Sequence, residues 1–183
     1  MKKLIMICLG IIILGPIPLT DAANRAQAKE QIKDAHPHAV ILKDTKGEVV
    51  GQAMLGEGEP GVIVYLNVKG LKPGLHGIHF HEKGVCEGPD FKSAGDHFNP
   101  YNKEHGLRNP KGPHAGDMKN VLADQNGNVQ TSYIDTLVTL QKGKKNSLLD
   151  KDGASLVIHA DEDDQMTNPA GNSGARVVCG VVK

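Results

Sequence analysis

From His38 to Lys183, short apolar runs alternate with clusters of Gly, Pro, Asn and Asp. Ala39–Leu42 is apolar and gives way to the turn-forming Asp44-Thr45-Lys46-Gly47. Glu48–Leu55 alternates in part, and Gly56-Glu57-Gly58-Glu59-Pro60-Gly61 cannot continue a strand. Val62–Val68 is strongly β-prone and is closed by Lys69–Gly74. Leu75–His81, Met118–Ala123, Val129–Tyr133, Ile134–Leu140, Ser155–His159 and Arg176–Val182 read as further strands. Asn126-Gly127, set between two of them, is a strong hairpin signal. No segment carries a sustained 3.6-residue apolar period. The pattern predicts an all-β domain of about eight short strands, an antiparallel sandwich or barrel.

Two stretches interrupt that rhythm. Glu82–Asp117 and Ala160–Ala175 are long loops rich in Gly, Asn, Asp, Pro and His. Loops of such length inside a compact β-domain are usually functional. A different grammar governs the start of the chain. Met1-Lys2-Lys3 is a basic n-region, Leu4–Leu19 is apolar but broken by Pro16 and Pro18, and Thr20-Asp21-Ala22 offers a cleavage site. Residues 1–22 therefore read as a signal peptide, with an uncleaved anchor through 4–19 as the alternative, and Cys8 as an ordinary residue of the apolar run. Residues 23–37 form a polar linker, and 38–183 the domain. The protein is expected to be exported, to a periplasmic, cell-envelope or extracellular location.

Charge and composition narrow the function. Lys+Arg and Asp+Glu are equal at 21, which argues against a nucleic-acid binder relying on bulk positive charge. With three Tyr, three Phe and no Trp, stacking platforms for single strands are also excluded. Beyond the leader only Cys86 and Cys179 remain, an even pair that reads as one disulfide in an oxidising compartment or as two buried thiols.

The nine histidines are unevenly placed. His79 and His81 lie two apart near a strand end, so both side chains share one face while Phe80 points oppositely. Their Cα atoms are then about 6–7 Å apart, close enough for both rings to reach one ion. The first loop adds His97, His105, His114 and Asp117, three imidazoles and a carboxylate suited to tetrahedral zinc. His159, at the end of another strand, can join the first pair, and a set of imidazoles suits copper as well as zinc. His36 and His38 flank a proline beside the linker and read as solvated chain.

The segments carrying these residues are HGIHFHEKGVC (76–86), SAGDHFNP (93–100), HGLRNPKGPHAGDMKNV (105–121), LVIHADEDD (156–164) and GNSGARVVCG (171–180). In order and spacing they resemble the copper/zinc superoxide dismutase family, in its bacterial exported form, over residues 38–183. The resemblance implies an eight-stranded antiparallel Greek-key β-barrel, a flattened sandwich with two long functional loops. It implies conversion of superoxide to O2 and H2O2 by copper redox cycling, with zinc structural. Copper would be held by His79, His81, His97 and His159, and zinc by His97, His105, His114 and Asp117, so that His97 bridges the two. Asp163 would link ligands of both metals, Arg176 would guide and bind superoxide, His76 would be structural, and Cys86 would pair with Cys179.

Three features depart from the family's animal members. The stretch before SAGDHFNP is longer, Ala160–Ala175 lacks a Glu-Glu-Lys guidance pattern, and the chain stops at Val181-Val182-Lys183 without a longer apolar tail. Substrate guidance is therefore expected to be weaker or to use other residues, and monomer and homodimer stay equally open. The competing reading is a copper-binding or buffering module of the same fold with little turnover, which missing ligands would favour; none is missing.

Overall fold

A computed structural model describes residues 37–150 and 152–183. The leader, Cys8, His36 and all of the linker except Pro37 lie outside the described residues. Among the described residues nine strands form: β1 (His38–Asp44), β2 (Val49–Glu57), β3 (Val62–Val68), β4 (Gly74–His76), β5 (Ile78–His81), β6 (Val121–Ala123), β7 (Val129–Asp135), β8 (Ala154–His159) and β9 (Arg176–Val182).

Seven of them hydrogen-bond in the order β5-β8-β9-β1-β2-β3-β7, every named ladder antiparallel, while β4 pairs with β6. β4 and β5 are one predicted strand split at Gly77. A Cβ there would lie 2.8 Å from the Ser173 side chain, and the Gly77 amide and carbonyl bond instead to the Asp161 carbonyl and the His159 amide. Counting the split strand once gives eight. β4 carries the sheet past β5 to β6, and β6 runs through the 124–128 turn into β7, so the row of strands returns on itself. The chain skips neighbours between β3 and β4 and again between β7 and β8, as a Greek key requires.

Two local expectations differ. The Asn126-Gly127 turn forms, with Gly127 donating to the Asp124 carbonyl and Asp124 to the Asn128 carbonyl. Its flanking strands, however, pair with β4 and β3 rather than with each other. Ile134–Leu140 is not a separate strand: Ile134 and Asp135 end β7, and Asp135 Oδ1 accepts the Leu137 amide at 2.9 Å and turns the chain. Glu57 then holds that segment, accepting from Thr139 Oγ1 at 2.7 Å and from the Leu140 amide at 2.6 Å.

Alternation puts Val40, Leu42, Ala53, Leu55, Val64, Leu66, Ile78, Phe80, Leu156 and Ile158 into one aliphatic core. Phe80 enters this core, whereas His79 and His81 are buried on the opposite face beneath the first loop. A satellite cluster of Phe91, Ala94, Val157, Cys179 and Cys86 packs around the Cys86–Cys179 disulfide, which ties that loop to β9. The bridge closes 93 residues, so Cys86→Ser/Cys179→Ser is expected to cost about 4–5 kcal/mol on the loop-entropy estimate. Urea unfolding of the metal-free oxidised protein and the double variant measures it, and a difference under about 1 kcal/mol would refute the loop-closure account.

Candidate metal centre

β5 supplies His79 and His81, and the last residue of β8 is His159, register partner of Arg176 on β9. Isolated bridges pair His81 with His97 and His79 with Asp117, drawing the first loop across the face of β5. The second loop brings in Asp163. The loops and strand ends therefore gather the predicted ligands into one pocket, in which His79, His81, His97, His105, His114, His159, Asp117 and Asp163 are all buried.

One nitrogen of each ring is spoken for. His79 Nε2 donates to Asp163 Oδ2 at 2.7 Å, His81 Nδ1 to the Gly95 carbonyl at 3.0 Å and His159 Nδ1 to the Gly174 carbonyl at 3.2 Å. His97 Nδ1 donates to Asp117 Oδ1 at 2.9 Å. These bonds fix the tautomers and leave a lone pair on the other nitrogen. The four nitrogens left over, His79 Nδ1, His81 Nε2, His97 Nε2 and His159 Nε2, are buried without any partner among the described residues. One donor atom from each of these four residues fits within 4.8 Å of the others. Buried polar atoms are almost always satisfied, so four convergent unpartnered nitrogens fit a cation that prefers imidazole.

Beside them Asp117 gathers three rings, the remaining two and His97 again. His97 Nδ1 and His105 Nδ1 lie 2.9 and 3.0 Å from Asp117 Oδ1, and the otherwise unpartnered His114 Nδ1 lies 3.4 Å from it. Asp117 Oδ2 accepts the amides of Gly106 and His114 at 2.9 and 3.0 Å, which locks the carboxylate in place. The His97 ring thus has one nitrogen toward each cluster. A second compact group combines His79, His97, His105 and Asp117, so the two clusters are contiguous.

Asp163 spans both, with Oδ2 on His79 and Oδ1 on His105 Nε2 at 3.0 Å. Residues that the sequence did not single out hold it there. Asn120 donates from Nδ2 to the Asp163 carbonyl at 2.8 Å and accepts the Asp163 amide on Oδ1 at 3.0 Å. Gln165 donates its amide to Asp163 Oδ1. Gly171, at φ 63°, lets the second loop cross so closely that a Cβ would sit 1.8 Å from Asp163 Oδ1. Asn120 lies three residues beyond Asp117, within a quoted segment, but nothing in its type or spacing marks this role. His76, as expected, bonds only backbone: Nδ1 lies 2.7 Å from the His159 carbonyl and Nε2 2.7 Å from that of Lys72.

Arg176 lines the mouth above the first cluster, its Nη1 and Nη2 donating to the carbonyls of Phe91 and Gly95 at 2.8 and 2.7 Å. That mouth is a cleft of about 560 Å3 shared by His97, His114 and His159.

Burial sets the protonation pattern. It lowers His79 to about 3 and His159 to about 4, and it holds His81 and His97 below the usual range, so all four rings are neutral at pH 7. His105 is the exception. Burial works against its charge, but Asp117 and Asp163, one at each nitrogen, outweigh burial and raise it to about 9. Both carboxylates are in turn held below their usual range, because these histidines outweigh the desolvation that opposes it.

The profile of the copper/zinc superoxide dismutase (SODC) family matches residues 45–182. The chain is 51% identical over 152 residues to "Superoxide dismutase [Cu-Zn] 2" of Aquifex aeolicus, covering 82% of this chain and 88% of that protein. It is 40% identical over 182 residues to the superoxide dismutase-like protein YojM of Bacillus subtilis, covering 98% and 93%. Among solved structures, the Cu/Zn superoxide dismutase of Brucella abortus superposes with a TM-score of 0.66 at 28% identity, over 80% of this chain and 99% of that one.

Metal-free protein is expected to lose stability as pH falls from about 6.5 to 4. The unfolded chain protonates His79 and His159 near 6.5, while the folded chain resists to about 3 and 4, so acid favours the unfolded state. His105, raised to about 9, contributes fully below 6.5 and is flat across this window. Denaturant midpoints against pH measure this, and a flat or rising profile on acidification would refute it.

Proposed function

The chain belongs to the copper/zinc superoxide dismutase family, and from that membership we propose how its own side chains divide the work. It is an oxidoreductase that converts two superoxide anions and two protons to O2 and H2O2, with copper and zinc as cofactors. When bound, copper supplies the one-electron couple that oxidises one superoxide and reduces the next, while zinc supplies fixed charge and no redox chemistry.

The copper site is His79, His81, His97 and His159. The observation that carries it is the convergence of their four buried, unpartnered nitrogens. The zinc site is His97, His105, His114 and Asp117, in which three Nδ1 atoms collect around one carboxylate oxygen. Asp163 couples the two sites through His79 and His105. His97 has the only ring shared by both proposed sets, with Nδ1 on Asp117 and Nε2 facing the copper set. Whenever copper does not occupy Nε2, that atom would hold a proton and could hand it to the departing peroxide. Arg176 keeps a permanent positive charge beside His159, held at both nitrogens by backbone carbonyls, and orients the incoming anion.

Export from the cytoplasm suits this assignment. It rests on the leader grammar of residues 1–22, on the Cys86–Cys179 disulfide and on an extracellular relative from Haemonchus contortus at 34% identity.

Superoxide decay, followed on copper- and zinc-loaded protein, tests the reading. His97→Ala and His159→Ala are expected to lose at least about a hundredfold in rate, and Arg176→Ala about tenfold or more with copper retained. A loaded wild type no faster than its metal-free form would leave only a copper-holding module. Zinc uptake at pH 7.5 is expected to release about one proton, from His105, which is charged there only while metal-free. Release measured with an indicator dye should vanish in His105→Ala, and its persistence would place the proton elsewhere.

A further inference from the structure

Three of the four proposed zinc ligands have their backbone tied to the barrel or to Asp117 itself. Isolated bridges join His97 to His81 and Asp117 to His79 on β5, and the His114 amide donates to Asp117 Oδ2. His105 has neither support. Residues 101–116 form no strand or helix, so no ladder partner serves its own N–H and C=O. Both groups go instead to asparagine side chains. Asn168 Oδ1 accepts the His105 amide at 2.9 Å, and Asn109 Nδ2 donates to the His105 carbonyl at 3.0 Å.

The two asparagines differ in origin. Asn109 stands on the same loop, and its Nδ2 also lies 3.2 Å from Glu104 Oε2 and 3.3 Å from the Met166 carbonyl. Asn168 comes from the second loop, 63 residues away, and among the described residues its side chain makes no other hydrogen bond. The chain before Asn168 is already fixed. Gln165 accepts the Arg108 amide on its carbonyl at 3.0 Å and donates its own amide to Asp163 Oδ1. Gly106, at φ 110°, permits that crossing, since a Cβ there would collide with the Gln165 carbonyl. Asn168 also lines the cleft together with His97, His159 and Arg176. One side chain therefore belongs both to the wall of the mouth and to the support of His105, whose ring nitrogens lie 3.0 Å from Asp117 Oδ1 and from Asp163 Oδ1.

We propose that Asn168 is a positioning residue for the zinc set: by holding the His105 amide from the second loop, it fixes where the His105 ring stands. The proposal rests on the zinc assignment of the dismutase reading. Asn168 is not itself a ligand and acts through the main chain of one. A ligand on an otherwise unsupported turn must be ordered each time zinc binds, and a clamp already in place removes that cost and slows release.

The test compares Asn168→Leu, which keeps the volume and removes the acceptor, with Asn168→Asp, which keeps the acceptor. From zinc-loaded protein, release to a chromogenic chelator should be about tenfold faster in Asn168→Leu and no faster than wild type in Asn168→Asp. With cobalt(II) in the zinc site, the visible ligand-field bands should shift in Asn168→Leu and coincide with wild type in Asn168→Asp. A leucine variant that matches wild type in either readout, or an aspartate variant that releases zinc as fast as leucine, would overturn the role of Asn168. In metal-free protein the His105 amide should exchange with deuterium about tenfold faster in Asn168→Leu than in wild type, and equal rates would refute the clamp. That measurement needs no metal. A wild type that takes up no zinc would sink the metal assignment, while the exchange rates still decide whether Asn168 holds His105.

Discussion

Everything in this molecule is arranged around one electrostatic problem: six imidazoles and two carboxylates share a buried pocket. Desolvation keeps His79, His81, His97 and His159 neutral, so none of them can balance Asp117 and Asp163. In metal-free protein that task falls to His105, which lies between the carboxylates with one nitrogen on each. Even then, five ring nitrogens among the described residues stay without a hydrogen-bond partner, and each buried unsatisfied nitrogen costs about 1–3 kcal/mol. Two divalent cations would satisfy those nitrogens and balance the carboxylates together. Metal binding is in this sense part of folding, and the site is under-satisfied without it.

The barrel makes that arrangement possible by keeping its chemistry off its core. Along β5 the period-two pleat sends Phe80 into aliphatic packing and both flanking histidines to the outer face. Two loops then seal that face. Sealing needs close approach at two places, and glycine allows both: Gly77 lets β4 and β5 bend beneath Ser173, and Gly171 lets the second loop cross Asp163. The disulfide contributes at the other end of the first loop. It packs with Phe91, whose carbonyl receives Arg176, so a covalent tie in β9 also holds the carbonyls that fix the cation on that strand.

Which of these features were readable beforehand follows from their range in sequence. Strand positions came from local alternation, and the gathering of histidines came from residue type and spacing, because imidazole donors have few other uses at such density; the division into copper and zinc sets came from the family resemblance. What was misread was decided by tertiary competition. Ile134–Leu140 has strand propensity throughout, yet Asp135 captures the Leu137 amide and Glu57, 83 residues away from Leu140, captures the next turn. The Asn-Gly turn formed while its flanks took other partners, since a turn signal fixes a reversal of direction and not the neighbour across a ladder. Asn120 was invisible for a related reason. Its role consists of two bonds to the backbone of a residue 43 positions away, and an asparagine in a loop looks the same whether or not those bonds exist.

Net charge is the clearest case of a global quantity hiding a local one. Equal counts of acidic and basic residues exclude a bulk cationic surface but leave open how the field is distributed near the cleft. There the distribution is uneven: the loop that closes one side is acidic, and the cationic side chains lining the cleft are Lys103 and Arg176. Bound metal cations would be larger local charges than either, and they would act at the bottom of the cleft. Arg176 would extend this field toward solvent, past the carboxylates of Glu82 and Asp96. A neutral protein can therefore gather an anion, provided the cation beside its metals is fixed by backbone contacts, as Arg176 is.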